Sequence, residues 1–162
     1  FDMPLGRGQR MCYNQKNGFG IRGMPKMIYE QYPELDALLC SMPGAQRDFK
    51  VEWAWDRYLV GGKMFAAMMA PGDKYDKAYA NHPLLNLKVD PEEGAVCRAQ
   101  YPDILPGFYA DKRCWISIRL DGSVPPERIA GLCRRSYDLV FAKLTKAARA
   151  GILAGQNPSD LT

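Results

Sequence analysis

The residues best equipped for chemistry stand together at Lys112-Arg113-Cys114-Trp115, a few positions after Phe108 and Tyr109. Two cations beside large rings supply contacts to phosphates and a platform on which bases stack. The same residues also read as two core rings with a solvated basic rim, and composition leaves both readings open. Gly61-Gly62-Lys63 superficially suggests a phosphate loop. It lacks the G-x-x-x-x-G-K-S/T spacing and runs into a strand pattern, so a hairpin turn accounts for it better.

Other constellations have ordinary structural explanations. Asp90, Glu92 and Glu93 could serve acid–base or metal chemistry, but an N-cap followed by acids that complement a helix dipole explains the same residues. Ser41, Ser117 and Ser136 lie outside any G-x-S-x-G context, and His82 is the single histidine, so a hydrolytic triad is not expected. Cys12, Cys40, Cys97, Cys114 and Cys133 include no C-x-x-C pair and have no histidines at ligand spacing. They are expected to be reduced thiols packed as small apolar side chains. The expectation is a non-enzymatic protein with no catalytic residues, metal or cofactor.

Net charge is +4 at pH 7, and its distribution is uneven. From Lys112 onward nine basic residues face four acidic ones, whereas the first 111 residues carry 13 basic and 14 acidic groups. This asymmetry favours an anionic partner. Much of it falls on the last helical segment, as Arg134, Arg135, Lys143, Lys146 and Arg149, where a helix C-terminus favours cations by itself. The longest apolar run, Met64 to Ala70, is far too short to cross a bilayer. No signal-peptide pattern occurs near the N-terminus, so a cytoplasmic protein that does not engage membranes is expected.

The elements that must position these residues follow from periodicity. With 162 residues, 47% of them hydrophobic, the chain has the makings of one domain with a real core. Residues 1–23 read as a flexible leader or upstream extension, residues 24–151 as an α+β domain, and residues 152–162 as a tail. Helical spacing covers Met27 to Leu39, divided by Pro33 and ended by Met42-Pro43-Gly44. Phe49, Val51, Trp53 and Trp55 alternate as one face of a first strand, broken by Asp56-Arg57. Tyr58 to Val60 and Lys63 to Met69 flank the glycine turn, a long polar and mobile loop runs from Pro71 to Pro83, and Leu84 to Val89 is a fourth strand. Asp90-Pro91 opens a short helix to about Gln100, Tyr101 to Gly107 is a loop, and Cys114 to Leu120 is a fifth strand. Pro125-Pro126 opens a last helix reaching about Ala150 before Gly151. The expected fold is a two-layer α+β sandwich, an antiparallel sheet of about five strands with helices on one face.

An ordered set of short motifs resembles the MmcQ/YjbR family of small bacterial proteins. It comprises Met42-Pro43-Gly44-Ala45, Val60-Gly61-Gly62-Lys63-Met64-Phe65-Ala66, Leu87-Lys88-Val89-Asp90-Pro91, Tyr101-Pro102, Pro106-Gly107-Phe108-Tyr109, Lys112-Arg113-Cys114-Trp115, Leu120-Asp121-Gly122 and Ser136-Tyr137-Asp138-Leu139-Val140. The resemblance implies a fold shared with secretion chaperones and CyaY-like proteins, and a DNA-binding role; contacts made mainly to phosphates would give weak sequence preference. Its pattern marks Lys63, Lys88, Lys112 and Trp115. Members often carry histidine where this chain has Cys114, which removes any role needing an imidazole there. The leading expectation is a DNA-binding surface formed by Lys63, Lys88, Lys112 and Arg113 on phosphates, with Trp115 or Tyr109 stacking. The alternatives are a peptide-binding, chaperone-like module acting as a homodimer, and a domain for a small anionic ligand. If Lys63, Lys88 and Lys112 converge on one open surface with the arginines of the last helix, nucleic acid gains; if they line a cleft, the small anionic ligand gains.

Overall fold

A computed structural model describes residues 27–155; the expected leader therefore lies outside the described residues. Two short helices open the fold, α1 (Ile28–Gln31) and α2 (Pro33–Ser41). Pro33 separates them because it brings no N–H for an uninterrupted helix and suits the first helical position of the second. Four strands follow: β1 (Gln46–Lys50), β2 (Trp55–Val60), β3 (Lys63–Met69) and β4 (Leu84–Lys88). Helix α3 (Pro91–Gln100) leads to β5 (Ile104–Pro106) and β6 (Trp115–Arg119), and α4 (Pro126–Ala142) and α5 (Lys146–Leu153) end the described chain.

The six strands form one sheet in the order β1-β2-β3-β4-β6-β5, with every neighbouring pair antiparallel. This is the expected α+β class with one strand more than expected. The extra strand, β5, falls in the proline-bearing segment read as loop, and it pairs only at the sheet edge. Prolines are tolerated there because an edge strand does not need every N–H.

Helix α4 lies across β3 and β4 and buries Leu132, Cys133, Tyr137 and Val140 against Phe65, Leu85, Leu87 and Ile116. Among the described residues the opposite face of the sheet is covered by loop segments rather than helices. There Trp55, Ala67, Met69 and Leu84 pack with Phe108, and Tyr75 and Tyr79 close over them from the 71–83 segment. That segment is anchored: the Tyr79 hydroxyl donates to Pro106 O at 2.7 Å, and Asn81 N donates to Pro71 O at 2.7 Å.

The alternating run from Phe49 to Trp55 is not one strand. Its middle is a turn, in which Ala54 adopts φ 58° and its N–H donates to Lys50 O at 2.8 Å. Lys50 pairs with Trp55 and Phe49 with Asp56, so Val51 and Trp53 project from a hairpin tip, 74% and 52% exposed. The sequence pattern misled because the strands contain buried polar residues. Arg47 is buried against Asp36 at 2.7 Å, and Asp56, the expected break, sits inside β2 and accepts the Tyr29 N–H at 3.2 Å.

Gly61 and Gly62, with φ of 58° and 81°, form the two-residue turn between β2 and β3, as their positive φ values require. A bulge follows: Leu59 pairs with Met64 but Tyr58 with Ala66, leaving Phe65 as the additional residue. Its carbonyl accepts from Ser136 Oγ, and Ser136 Oγ accepts from Lys88 N at 2.8 Å, which ties α4 to two strands.

The last helical segment is two helices rather than one. Thr145 caps α5 by accepting the Ala148 N–H at 3.0 Å, and α5 continues through Gly151 to Leu153, two residues past the expected domain end. Cys97, Cys114 and Cys133 hold free thiols, and burial pushes the Cys133 thiol up to about 12. Cys40 is disulfide-bonded, so the expectation of reduced thiols fails at that position.

Candidate nucleic-acid interface

Strands β4 and β6 bring Lys88 and Trp115 opposite one another. On one face of this pair run Leu84, Asn86 and Lys88 beside Trp115, Ser117 and Arg119; the alternate residues point into the helix-covered core. Lys88 Nζ stands 5.7 Å from the Trp115 ring centroid. Gly107 passes directly by, its N–H donating to Trp115 O at 3.0 Å. A Cβ on Gly107 would lie 2.6 Å from Trp115 Cβ, so only glycine permits this approach. Lys112 Nζ then donates to Gly107 O at 2.8 Å and stands 5.9 Å from the Tyr79 ring centroid. Lys88, Trp115 and Lys112 are thereby gathered around one glycine.

The turn before β6 supplies the third cation. Asp111 accepts the Arg113 N–H at 2.9 Å, and its carbonyl accepts from Cys114 N and Trp115 N. The Arg113 backbone hydrogen bond, then its guanidinium 3.5 Å away and Lys88 nearby, hold the Asp111 carboxyl below the usual range. Arg113 is 81% exposed, and its charge is partly offset by that carboxylate. Lys88 and Lys112 have no carboxylate within ion-pair distance among the described residues.

Phe108 and Tyr109 are fixed by a buried polar clamp. Asn86 Nδ2 donates to Phe108 O at 2.9 Å, Phe108 N donates to Ser117 Oγ at 2.8 Å, and Ser117 Oγ donates to Asn86 Oδ1. Tyr109 follows with φ 51°, a left-handed conformation costly for a residue with a Cβ. Its ring stacks on Phe108 at 4.7 Å and 13°, and it remains 71% exposed.

Beyond Tyr109 the surface opens into a pocket of about 540 Å³ between the β1–β2 hairpin tip and the loop after β3. Five rings line it: Trp53, Trp55, Tyr75, Phe108 and Tyr109. A second, apolar groove of about 780 Å³ lies between α2 and the start of α4, lined by Tyr32, Leu35, Leu38, Val124 and Ile129 among others.

Of the sequence-expected site residues, Lys88, Lys112, Arg113 and Trp115 come together, with Tyr109 adjoining through Phe108. Lys63 does not join them. Met64 packs on the loop-covered face, so strand alternation turns Lys63 toward the side that bears the helices. Two basic residues of the last helices are committed to other partners: Arg135 bridges Asp90 at 2.8 Å and Glu93 at 3.1 Å, and Arg149 donates to Ala142 O and Leu144 O. Asp90 therefore spends its carboxylate on Arg135 rather than on a side-chain cap. Neither pocket is lined by Lys63, Lys88 or Lys112.

Sequence reasoning missed Trp53, Trp55 and Tyr75 as neighbours of Tyr109, and Asn86 and Ser117 as the clamp. The last two left a signal: each is a polar residue interrupting an apolar run, LLNL in β4 and WISI in β6. His82 is held by Asp121 at 2.9 Å. Among the described residues no group of three or more His, Cys, Asp or Glu could hold a metal ion, and no helix is long and apolar enough to cross a membrane.

A six-stranded antiparallel sheet packed against helices makes this a small α+β domain of the type seen in DUF419 structures. The YjbR family model matches residues 40–139, and the chain belongs to that family. It is 30% identical over 116 residues to the uncharacterized protein YjbR of Escherichia coli K12, covering 72% of this chain and 92% of that one. It is 27% identical over 111 residues to the uncharacterized protein YbdF of Escherichia coli O157:H7, covering 65% and 84%. The crystal structure of Deinococcus radiodurans protein DR2400, with a DUF419 domain, matches at TM-score 0.63 and 31% identity over 75% of this chain and 86% of that one. A Pseudomonas syringae crystal structure at TM-score 0.56 and 21% identity, covering 72% and 98%, shares the fold.

Proposed function

We propose that this domain is a non-enzymatic DNA-binding protein that contacts mainly phosphates and discriminates weakly between sequences. The observation that carries the reading is the pair Lys88 and Lys112, half-buried and exposed respectively beside Trp115, with no carboxylate within ion-pair distance among the described residues. Each ammonium retains donors: Lys112 commits one to Gly107 O and has others for a phosphate. Arg113 adds a further exposed cation, and Trp115 and Tyr109 add rings. Lys63 contributes to the positive field from another side. Phosphate contacts of this kind release counterions, so affinity falls steeply with salt.

The experiment is titration of labelled duplex and single-stranded DNA at two salt concentrations, with native protein and the Lys88→Ala/Lys112→Ala variant. Binding at low salt that the variant weakens supports the reading. Absence of binding at low salt, or equal binding by the variant, overturns it.

The second reading, a peptide-binding module acting as a homodimer, is favoured by the hairpin tip at the open β1 edge, where Val51 and Trp53 are exposed. Sedimentation of the purified protein separates the two: a dimer abolished by Val51→Ser supports this alternative.

A further inference from the structure

The pocket beside Tyr109 has features that the phosphate contacts do not use. Two of the three described non-glycine residues with positive φ, Ala54 and Tyr109, lie in its wall. Such conformations persist where surrounding structure enforces them, and they gather at binding sites. Two of its five rings, Trp53 and Tyr109, are more than half exposed, an unusual outlay of aromatic surface toward solvent. Its size falls within the range of small-molecule sites.

The charges around the pocket restrict what it takes. Lys50 Nζ stands 5.3 Å and Arg57 Cζ 6.0 Å from the Trp53 ring centroid, and Lys74 Nζ stands 5.4 Å from that of Tyr75. A cationic ligand would meet like charge beside these rings. Glu52, the one carboxylate in the lining, lies 3.7 Å from Lys50. A flat, neutral ring carrying negative charge outside the pocket meets no such conflict. The aromatic wall also continues through Phe108 to Tyr79, which Lys112 overlooks.

We infer that the pocket accepts an unpaired nucleobase of single-stranded DNA, stacked against Trp53, while the adjoining phosphates run toward Lys112 and Lys88. This rests on the DNA-binding reading and adds to it that single strands are the preferred form, because a base inside a duplex has no free face to offer. Weak sequence preference follows, since every base has a π-face.

The test compares a twelve-nucleotide thymidine strand, the same strand with abasic positions throughout, and a twelve-base-pair duplex, read by fluorescence anisotropy and by quenching of tryptophan emission. The expected result is that the base-bearing strand binds about tenfold tighter than the abasic one, the scale of one stacked base. Trp53→Ala and Trp53→Leu should each erase most of that difference while leaving affinity for the abasic strand and its salt dependence unchanged. Trp53 is half exposed at a hairpin tip, and circular dichroism checks that both variants fold. Equal binding of abasic and base-bearing strands, or a preference that survives both variants, overturns the pocket inference and leaves phosphate-directed binding standing. Failure of every polymer to bind overturns both.

Discussion

Asn86 and Ser117 face each other across β4 and β6, and together they hold the Phe108 backbone by its carbonyl and its N–H. All three groups are buried, so each polar atom depends on the others for its hydrogen bonds. The clamp determines where Phe108 packs, and with it the direction in which Tyr109 leaves the sheet.

Ser117→Ala leaves the Phe108 N–H and Asn86 Oδ1 without their partner. The expected loss is about 1–3 kcal/mol of stability, measured by chemical denaturation. Tryptophan emission in the folded variant should shift as well, because Trp55 shares the cluster that contains Phe108.

Gly107→Ala inserts a Cβ 2.6 Å from Trp115 Cβ and 3.1 Å from Trp115 O. Backbone cannot rotate aside as a side-chain tip can, so the β6 end must move. A destabilisation of about 1–3 kcal/mol is expected, together with weaker DNA binding as Trp115 and Lys112 separate.

Burial pushes the Asp56 carboxyl up to about 6, despite the Tyr29 N–H and Arg47 that favour its charged form. The folded state therefore holds this proton more tightly than the unfolded chain does. Stability from this group is present below about pH 4 and is lost as pH rises through 6, on the order of 1–3 kcal/mol. Asp56→Asn keeps an acceptor for Tyr29 and removes the titration. The difference in unfolding free energy between variant and native protein should change in that pH window and level off above it.

Lys88→Ala/Lys112→Ala should lower the slope of log affinity against log salt by roughly two. Arg135→Ala should change DNA affinity less than twofold, because its guanidinium is already engaged by Asp90 and Glu93. A variant series measured at three salt concentrations checks both. Lys63→Ala belongs with Arg135→Ala in this comparison, since its strand position turns it away from Lys88.

Thr145→Ala removes the acceptor for Ala148 N and should cost about 1 kcal/mol. Thermal unfolding measures it, and increased amide exchange confined to α5 would locate the effect.

Much of the fold was legible in local chemistry. Gly61-Gly62 requires positive φ and marks the β2–β3 turn; Pro33 divides a helix wherever it occurs; Asp90-Pro91 opens α3. The bounds of β3 follow from an apolar run between a glycine turn and a proline. These features act over a few residues, so the sequence determines them by itself. The β1–β2 hairpin was hidden because Arg47 and Asp56 are buried through partners distant in sequence, at Asp36 and Tyr29. The helix break at Thr145 was hidden because a threonine caps only if the chain turns there.

The lysine–tryptophan cluster was half legible. Lys112, Arg113 and Trp115 are neighbours in sequence, and that proximity alone brought two cations beside a ring. That Lys88 joins them depends on the β4–β6 register, and that Lys63 does not depends on strand alternation beyond the bulge at Phe65. The aromatic pocket draws on the β1–β2 turn, the loop after β3 and the Phe108–Tyr109 segment, about 56 positions apart at their extremes. Side chains so far apart in sequence meet only through tertiary packing, because no local rule couples their directions until the sheet has formed.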